Sequence, residues 1–171
     1  MDSVAEREFL EFARTRTVAL LRSAYALSGQ QQSAEDLVQA ALAKTAASWR
    51  RIRTDPEPYA RKVLYHEFAS WWRRRSTHET PTGALPDRLA PDSTTASTMR
   101  LVLYGGLSRL GHRQRAVLVL RYLEDRSERE VAEILGCRPG TVASQTSRAL
   151  ARLRVVAPEL RELLDAEGVG P

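Results

Sequence analysis

Polar and basic side chains near the C-terminus lie at helical spacing in the segment TVASQTSRALARLR, residues 141–154. Hydroxyl, amide and guanidinium groups hydrogen-bond to base edges in the major groove of DNA. Groups near the start of the same helix can reach phosphate, helped by the helix dipole. The predicted DNA-contact set is Arg138, Thr141, Ser144, Gln145, Ser147, Arg148 and Arg152.

These side chains need a helix-turn-helix to present them, and residues 127–154 fit one. Ser127 and Glu130 have the spacing of a capping box, which starts a short helix. Gly136 ends that helix, Gly140 lies near the start of the next, and Val142 points back to lock the two together. An αα-hairpin that binds protein is the alternative. Residues 138–154 hold four arginines and no acidic residue, which favours DNA.

A second constellation interleaves aromatic rings with basic residues over residues 59–75. Rings stack on unpaired bases while arginines follow the backbone of a single strand. Trp71 and Trp72 have an alternative role as core or interface anchors. Adjacent helical residues point about 100° apart, so we expect at least one tryptophan to be structural. The candidate binding residues are Arg61, Lys62, His66, Trp71, Trp72, Arg73, Arg74 and Arg75.

A third segment combines an acidic helix start with apolar residues. Ser33 and Asp36 have capping-box spacing and predict a helix from there to about Trp49. Glu35 and Gln39 lie in its first turns. Taken alone, this pattern indicates only a capped core helix.

Catalytic and metal-binding patterns are missing from the sequence. It has no Gly-rich phosphate loop, no HExxH and no GxSxG. His66, His78 and His112 are scattered and lack metal-ligand spacing. A lone Cys137 excludes an internal disulfide and a multi-cysteine zinc site. We therefore predict a protein that is not an enzyme and has no metal or cofactor.

The net charge of +5 is concentrated in two segments. Residues 50–75 hold eight basic and three acidic side chains, and residues 138–154 are basic without any acid. Clustered arginines suit nucleic acid because phosphate contacts release counterions, although a solvated helix face is the alternative. No apolar run reaches the roughly 20 residues of a membrane span, and the N-terminus lacks a signal peptide. A cytoplasmic protein without membrane contact is expected.

The chain is predicted to be all-α with two small helical domains. Residues 1–75 hold helices over about 3–27, 33–49 and from Pro56 onward, and residues 98–171 restart with helices at about 98–109 and 112–123. Residues 76–97 are rich in proline, serine and threonine, which predicts a flexible linker.

The three segments, in this order, resemble the extracytoplasmic-function group of the sigma-70 superfamily. Their motifs are especially similar to those of an actinobacterial SigE-like subgroup. AEDLVQAALAKTAASW is similar to region 2.2, and DPEPYARKVLYHEFASWWRRRS to regions 2.3 to 2.4. RQRAVLVLRYLEDRSEREVAEILGCRPGTVASQTSRALARLR is similar to regions 4.1 to 4.2. The resemblance covers nearly the whole chain apart from the linker and the termini.

The resemblance implies roles that spacing alone does not. Region 2.2 would dock Glu35, Asp36 and Gln39 on the clamp helices of the polymerase β′ subunit. Regions 2.3 to 2.4 would melt and read the promoter −10 element, and region 4.2 would read the −35 element as duplex. The implied partners are core RNA polymerase, including its β subunit, promoter DNA and an anti-sigma factor.

Two positions depart from the family pattern. The family commonly has Asn, which helps to capture a flipped base, where this chain has His66, and Lys or Arg where it has Ala143. The main rival function is a stand-alone DNA-binding repressor or activator, which would bind a palindrome as a dimer. A small nucleic-acid enzyme is a further alternative for which the sequence shows no site.

Overall fold

The computed structural model describes the backbone of residues 2–76 and 94–166 and the side chains of residues 2–76 and 101–162. These residues are helical and contain no strand. Most of the expected linker, residues 77–93, lies outside this description, and the chain is already helical at Thr94. The helices are α1 (Ser3–Ser28), α2 (Gln31–Ser48), α3 (Pro56–Ser76), α4 (Thr94–Ser108), α5 (His112–Leu118), α6 (Glu128–Leu135), α7 (Pro139–Val156) and α8 (Pro158–Ala166).

Helix ends in the first half follow local sequence signals, with one exception. The Asp2 carboxylate accepts from the Ala5 amide at 2.9 Å, and Gly29 ends α1 with a left-handed φ of 73°. The capping box predicted at Ser33 does not form. α2 begins at Gln31 without a side-chain cap, and the Ser33 hydroxyl donates to the Gln30 side chain instead. Starting earlier places Ser33 inside the first turn of the helix.

The N-terminal unit is three helices, with α2 packed against both α1 and α3. Leu20 of α1, Ala41 of α2, and Leu64 and Phe68 of α3 are almost completely buried. α1 and α2 are joined by a short turn, and a 3₁₀ turn at Trp49–Arg51 leads toward α3. Burial of these apolar side chains is the main driving force for this packing.

The C-terminal unit builds its core from α5, α6 and α7. Leu120, Val131 and Val142 are fully buried. A π-type turn, Val119–Leu123, extends α5 and leads into the loop before α6. α4 and α8 pack on each other and on α7.

The two units share one hydrophobic core. Buried residues of α1 and α3 and buried residues of α5, α6 and α7 belong to a single cluster. α3 contacts α5 and α6, while α1 contacts α4, α5 and the π-type turn. The structure therefore shows the N-terminal and C-terminal helices docked on each other.

Candidate DNA and polymerase interfaces

The helix-turn-helix forms as its sequence predicts. The Ser127 hydroxyl accepts from the Glu130 amide at 3.2 Å, and Glu130 Oε2 accepts from the Ser127 amide at 2.7 Å. This backbone hydrogen bond lowers the pKa of the Glu130 carboxyl. Gly136 ends α6 with a φ of 68°, in the left-handed region that favours glycine. α7 then starts with proline in its first turn.

One face of α7 is polar, basic and exposed, and the other is apolar. Val142, Thr146 and Ala149 are buried at helical spacing. Of the predicted DNA-contact set, Gln145 is half-buried and the rest are exposed. We call the stripe at spacings of three and four residues the recognition face of α7; it comprises Thr141, Ser144, Gln145, Arg148 and Arg152.

Arg61 is not on the DNA-accessible side of α3. It is 6% exposed, its Nε and Nη2 donate to Glu57 Oε1, and its Nη1 lies 2.6 Å from Glu124 Oε1. In this arrangement the guanidinium is unavailable to phosphate, so the prediction that Arg61 contacts DNA is not supported by its position. Lys62, His66, Arg73 and Arg74 of the same helix are exposed, and Arg75 is half-buried.

Both tryptophans of α3 join an aromatic cluster around Phe68. The Phe68 ring centroid lies 6.0 Å from that of Trp71 and 6.1 Å from that of Trp72. Arg75 lies over Trp71 at 5.1 Å. Trp72 instead turns toward the C-terminal unit, where the His112 ring lies at 5.8 Å and the Arg115 guanidinium at 4.8 Å. Trp71 and Trp72 are both half-buried, so each has a structural contact.

His66 borders a cavity of about 470 Å³ between α3 and the C-terminal unit. Arg73 lies on the same side, while His112, Thr141 and Gln145 line the opposite side. Burial lowers the pKa of His112, and the charges of Arg113, Arg73 and Arg115 lower it further.

The predicted polymerase-docking residues share one face of α2. Asp36 and Gln39 are exposed and Glu35 is half-buried. Glu35 accepts from the Gln31 side chain at 2.7 Å, and Asp36 accepts from the Gln32 side chain at 3.2 Å. Among the residues that the structure describes, the hydrogen-bond partners of both carboxylates are thus local ones on the same helix.

Two charged residues that sequence reasoning missed hold the units together. Arg115 and the side chain of Glu124 are buried, although their sequence neighbourhood is an ordinary helix end and loop. Burial lowers the pKa of Arg115 to about 10, with Arg75 adding to the effect. Charged or polar residues adjoin both of them in the sequence, namely Arg113 and Gln114 beside Arg115 and Asp125 and Arg126 beside Glu124, so no local signal reveals a partner elsewhere in the chain.

Metal and membrane features receive no support from the described residues. No group of three or more His, Cys, Asp or Glu side chains there is arranged to hold a metal ion. No helix in the same part of the chain combines the length and apolar character that a bilayer crossing requires. Cys137 is exposed in the turn before α7.

Comparison with known proteins matches both halves of the chain. Residues 12–78 match the model of Sigma-70 region 2, and residues 100–153 match that of Sigma-70, region 4. The chain is 43% identical over 149 residues to the RNA polymerase sigma-E factor of Streptomyces coelicolor, covering 86% of this chain and 84% of that one. The ECF RNA polymerase sigma factor SigL of Mycobacterium tuberculosis is 30% identical over 82% of this chain and 84% of its own.

Solved structures agree with this fold. The sigma factor RpoE in complex with the anti-sigma factor NepR from Bartonella quintana has a TM-score of 0.71 and 26% identity, covering 88% of this chain and 96% of that one. CnrH in complex with the cytosolic domain of CnrY has a TM-score of 0.62 and 20% identity, covering 94% and 90%, which shows the fold alone. The chain therefore belongs to the extracytoplasmic-function group of the sigma-70 family of RNA polymerase sigma factors.

Proposed function

We propose that this chain binds core RNA polymerase through α2, brings it to promoters by reading the −35 element with α7, and holds melted −10 DNA on α3. The observation that carries the proposal is the exposed recognition face of α7, which lies on a capped helix-turn-helix without an acidic side chain in residues 138–154. Catalysis stays with the polymerase in this scheme, and the chain works in the cytoplasm with it.

Readout of the −35 element follows from the shape of α7. Its 18 residues span about 27 Å, enough to lie along a major groove. The apolar side is occupied by the core, so the recognition face is left available to a ligand. Arg148 lies at the centre of that face and is the residue best placed for a bidentate contact with guanine.

Binding of the −10 element rests on the mixed surface of α3, which we call the −10 surface: Lys62, His66, Trp71, Trp72, Arg73 and Arg74. Aromatic stacking on a base contributes about 1–3 kcal/mol and tolerates many sequences. His66 occupies the position of the family's base-capturing Asn, and its exposed imidazole can stack or hydrogen-bond. The −10 surface therefore suits a strand that has already left the duplex.

Transcription from a promoter library tests the −35 assignment. We expect wild-type chain with core polymerase to initiate at a defined promoter class. Arg148→Ala should weaken binding by about 1–3 kcal/mol and relax the preference at one −35 position. Arg7→Ala, an exposed arginine of α1, removes the same charge outside the proposed surfaces. An Arg148→Ala profile that matches the Arg7→Ala profile would refute base readout.

Co-elution with core polymerase tests the docking face. The double variant Glu35→Lys, Asp36→Lys should lose core binding while keeping its helix content, since neither carboxylate caps α2. The matched control is Glu8→Lys, Glu11→Lys on the exposed side of α1. If both double variants bind core equally well, α2 is not the docking helix. A chain that never binds core and dimerises on palindromic DNA would instead be a stand-alone regulator.

A further inference from the structure

The cavity between α3 and the C-terminal unit has an apolar lining over part of its wall. Its volume of about 470 Å³ lies within the range of pockets that hold one small molecule, roughly 300–1,000 Å³. Phe68 of α3, Val117 of α5 and Val142 of α7 are buried and belong to this lining. Such a wall suits a flat ring, because the ring loses contact with water when it packs there.

The charged groups at the same cavity are all basic among the described residues that line it. Arg73 of α3 and Arg113 of α5 are both exposed, so a ligand from solution can reach them. Arg73 donates to the Ser70 hydroxyl at 3.1 Å. Arg113 makes no hydrogen bond or ion pair with any residue that the structure describes. Two guanidinium groups without a carboxylate beside them in the lining favour an anionic ligand.

The pKa of His112, another residue of the lining, reports the sign of the local electrostatic potential. Burial lowers this pKa most, and the charges of Arg113, Arg73 and Arg115 lower it further. The charges of three arginines therefore act at one point of the cavity wall. A cleft lined by charges of one sign concentrates the opposite ion.

Uncharged polar groups lie on the α7 side of the cavity. Gln145 is half-buried, and its side-chain amide makes no hydrogen bond with a described residue. An amide offers an acceptor and two donors, which match the adjacent acceptor and donor on the N7 and N6 edge of adenine. The exposed imidazole of His66, on the α3 side, can stack on a base.

We propose that this cavity binds a purine nucleoside monophosphate, with the phosphate between Arg113 and Arg73 and the base between the apolar wall and Gln145. A phosphate monoester carries a charge of about −1.5 to −2 at pH 7, which matches two arginines. The ligand would occupy His66 and Gln145, which belong to the proposed DNA-binding surfaces, so it would compete with promoter DNA. That consequence rests on the proposed function, whereas binding of the nucleotide itself does not.

Equilibrium dialysis of the full chain against labelled adenosine monophosphate tests the site. We expect a dissociation constant on the order of 10 μM, from the usual binding energy per atom of ligands of this size. Inorganic phosphate and ribose 5-phosphate carry the anion without the base and should bind at least tenfold more weakly. Absence of binding at about 1 mM nucleotide, a hundred times that constant, would overturn the proposal. Equal affinity for inorganic phosphate would overturn the base subsite.

A pair of arginine variants tests the phosphate position. Arg113→Ala should weaken binding of adenosine monophosphate about tenfold, a difference of ~1.4 kcal/mol. The matched control is Arg154→Ala, which removes the same charge from an exposed position of α7 that does not line the cavity. This control should keep the wild-type affinity. Equal losses in the two variants would show anion binding by overall charge and would overturn the assignment of Arg113.

A third variant, Gln145→Leu, tests the base position. Leucine keeps much of the side-chain volume but cannot hydrogen-bond to the purine edge. Gln145→Leu should weaken binding of adenosine monophosphate while leaving the affinity for inorganic phosphate unchanged. A preference for the nucleotide that is as large as in the wild type would overturn the role of Gln145.

NMR titration of the histidine rings tests the location independently of affinity. Arg113 and Arg73 both lower the pKa of His112 by their charge, so a phosphate between them should raise it. Saturating adenosine monophosphate should therefore move the titration of His112 to higher pH, with His112→Gln identifying the signal. Bound nucleotide that leaves this titration unchanged would overturn the location.

Competition with a single strand of about 12 nucleotides separates the inference from the proposed function. Adenosine monophosphate at ten times its dissociation constant should leave about one chain in eleven competent, which weakens strand binding about tenfold. Under the same conditions Arg113→Ala should lose less of its strand affinity. An unchanged strand affinity with saturating nucleotide would overturn the competition. A chain that binds the nucleotide but no strand would refute the proposed −10 surface, while the nucleotide site would stand.

Discussion

Two adjacent glycines of α4 should respond in opposite ways to the same substitution. A Cβ on Gly105 would meet no atom within 4 Å. A Cβ on Gly106 would lie 2.8 Å from a terminal methyl of Leu153 and 2.9 Å from the Ala157 Cβ. The leucine methyl can rotate away, but the alanine Cβ moves only with its backbone. Gly106 therefore allows α4 to approach the junction of α7 and α8 closely.

The magnitudes follow from helix propensity and overpacking. Gly105→Ala should stabilise the chain by about 0.8–1 kcal/mol, the propensity difference in a helix interior. Gly106→Ala gains the same propensity but incurs an overpacking cost of about 1–3 kcal/mol. The two variants should therefore differ by about 1–3 kcal/mol in free energy of unfolding, with Gly106→Ala the less stable.

Urea denaturation followed by helix content measures both variants. A difference of 1 kcal/mol corresponds to about 2–4 °C in Tm for a chain of this size, which calorimetry also resolves. The double variant Gly106→Ala, Ala157→Gly should recover part of the lost packing energy, because it removes the contact with the Ala157 Cβ, which cannot move without its backbone. Equal stability of Gly105→Ala and Gly106→Ala would refute the close approach of α4 to α7 and α8.

Three other outcomes are expected. Ser127→Ala should lower the free energy of unfolding by about 0.5–2 kcal/mol. Because the pKa of Glu130 is lowered, the stabilisation that its carboxylate provides should be complete above pH 4.5 and be lost as the pH falls through that lowered pKa; urea titrations at several pH values check both. Because the pKa of His112 is lowered, the free energy of unfolding should be highest above pH 6.5 and should fall as the pH drops through the lowered pKa. His112→Gln should flatten this pH dependence; if the pH dependence survives the substitution, another group causes it. If Arg148 contacts phosphate rather than a base, Arg148→Ala should reduce the salt slope of DNA binding by about 1 and weaken all sequences alike, as a filter-binding salt series would show.

Most helix boundaries and the helix-turn-helix could be predicted from local sequence. Asp2, Gly29, Ser127 with Glu130, and Gly136 each act through hydrogen bonds or dihedral angles within one or two turns. The capping box predicted at Ser33 was wrong because the turn after Gly29 is short enough for α2 to begin at Gln31. A local pattern identifies a possible cap but not whether the helix has already started.

The sequence predicted only in part which residues of the candidate site are exposed. The recognition face of α7 follows from helical periodicity, since its apolar side shows which side must be outward. Arg61 looked equivalent to its basic neighbours on α3, yet it is buried against Glu57 and Glu124. A charge pattern on one helix does not reveal a carboxylate some 60 residues further along the chain.

The sequence by itself therefore determined the helices, the turn before α7, and the polar and basic composition of the surfaces on α3 and α7. Only the tertiary structure decided that Glu124 and Arg115 join the two units and that His66 and Gln145 line one cavity. The physical reason is the range of the interactions involved. Caps and helical periodicity act between residues a few positions apart, whereas a buried ion pair depends on how separate elements dock.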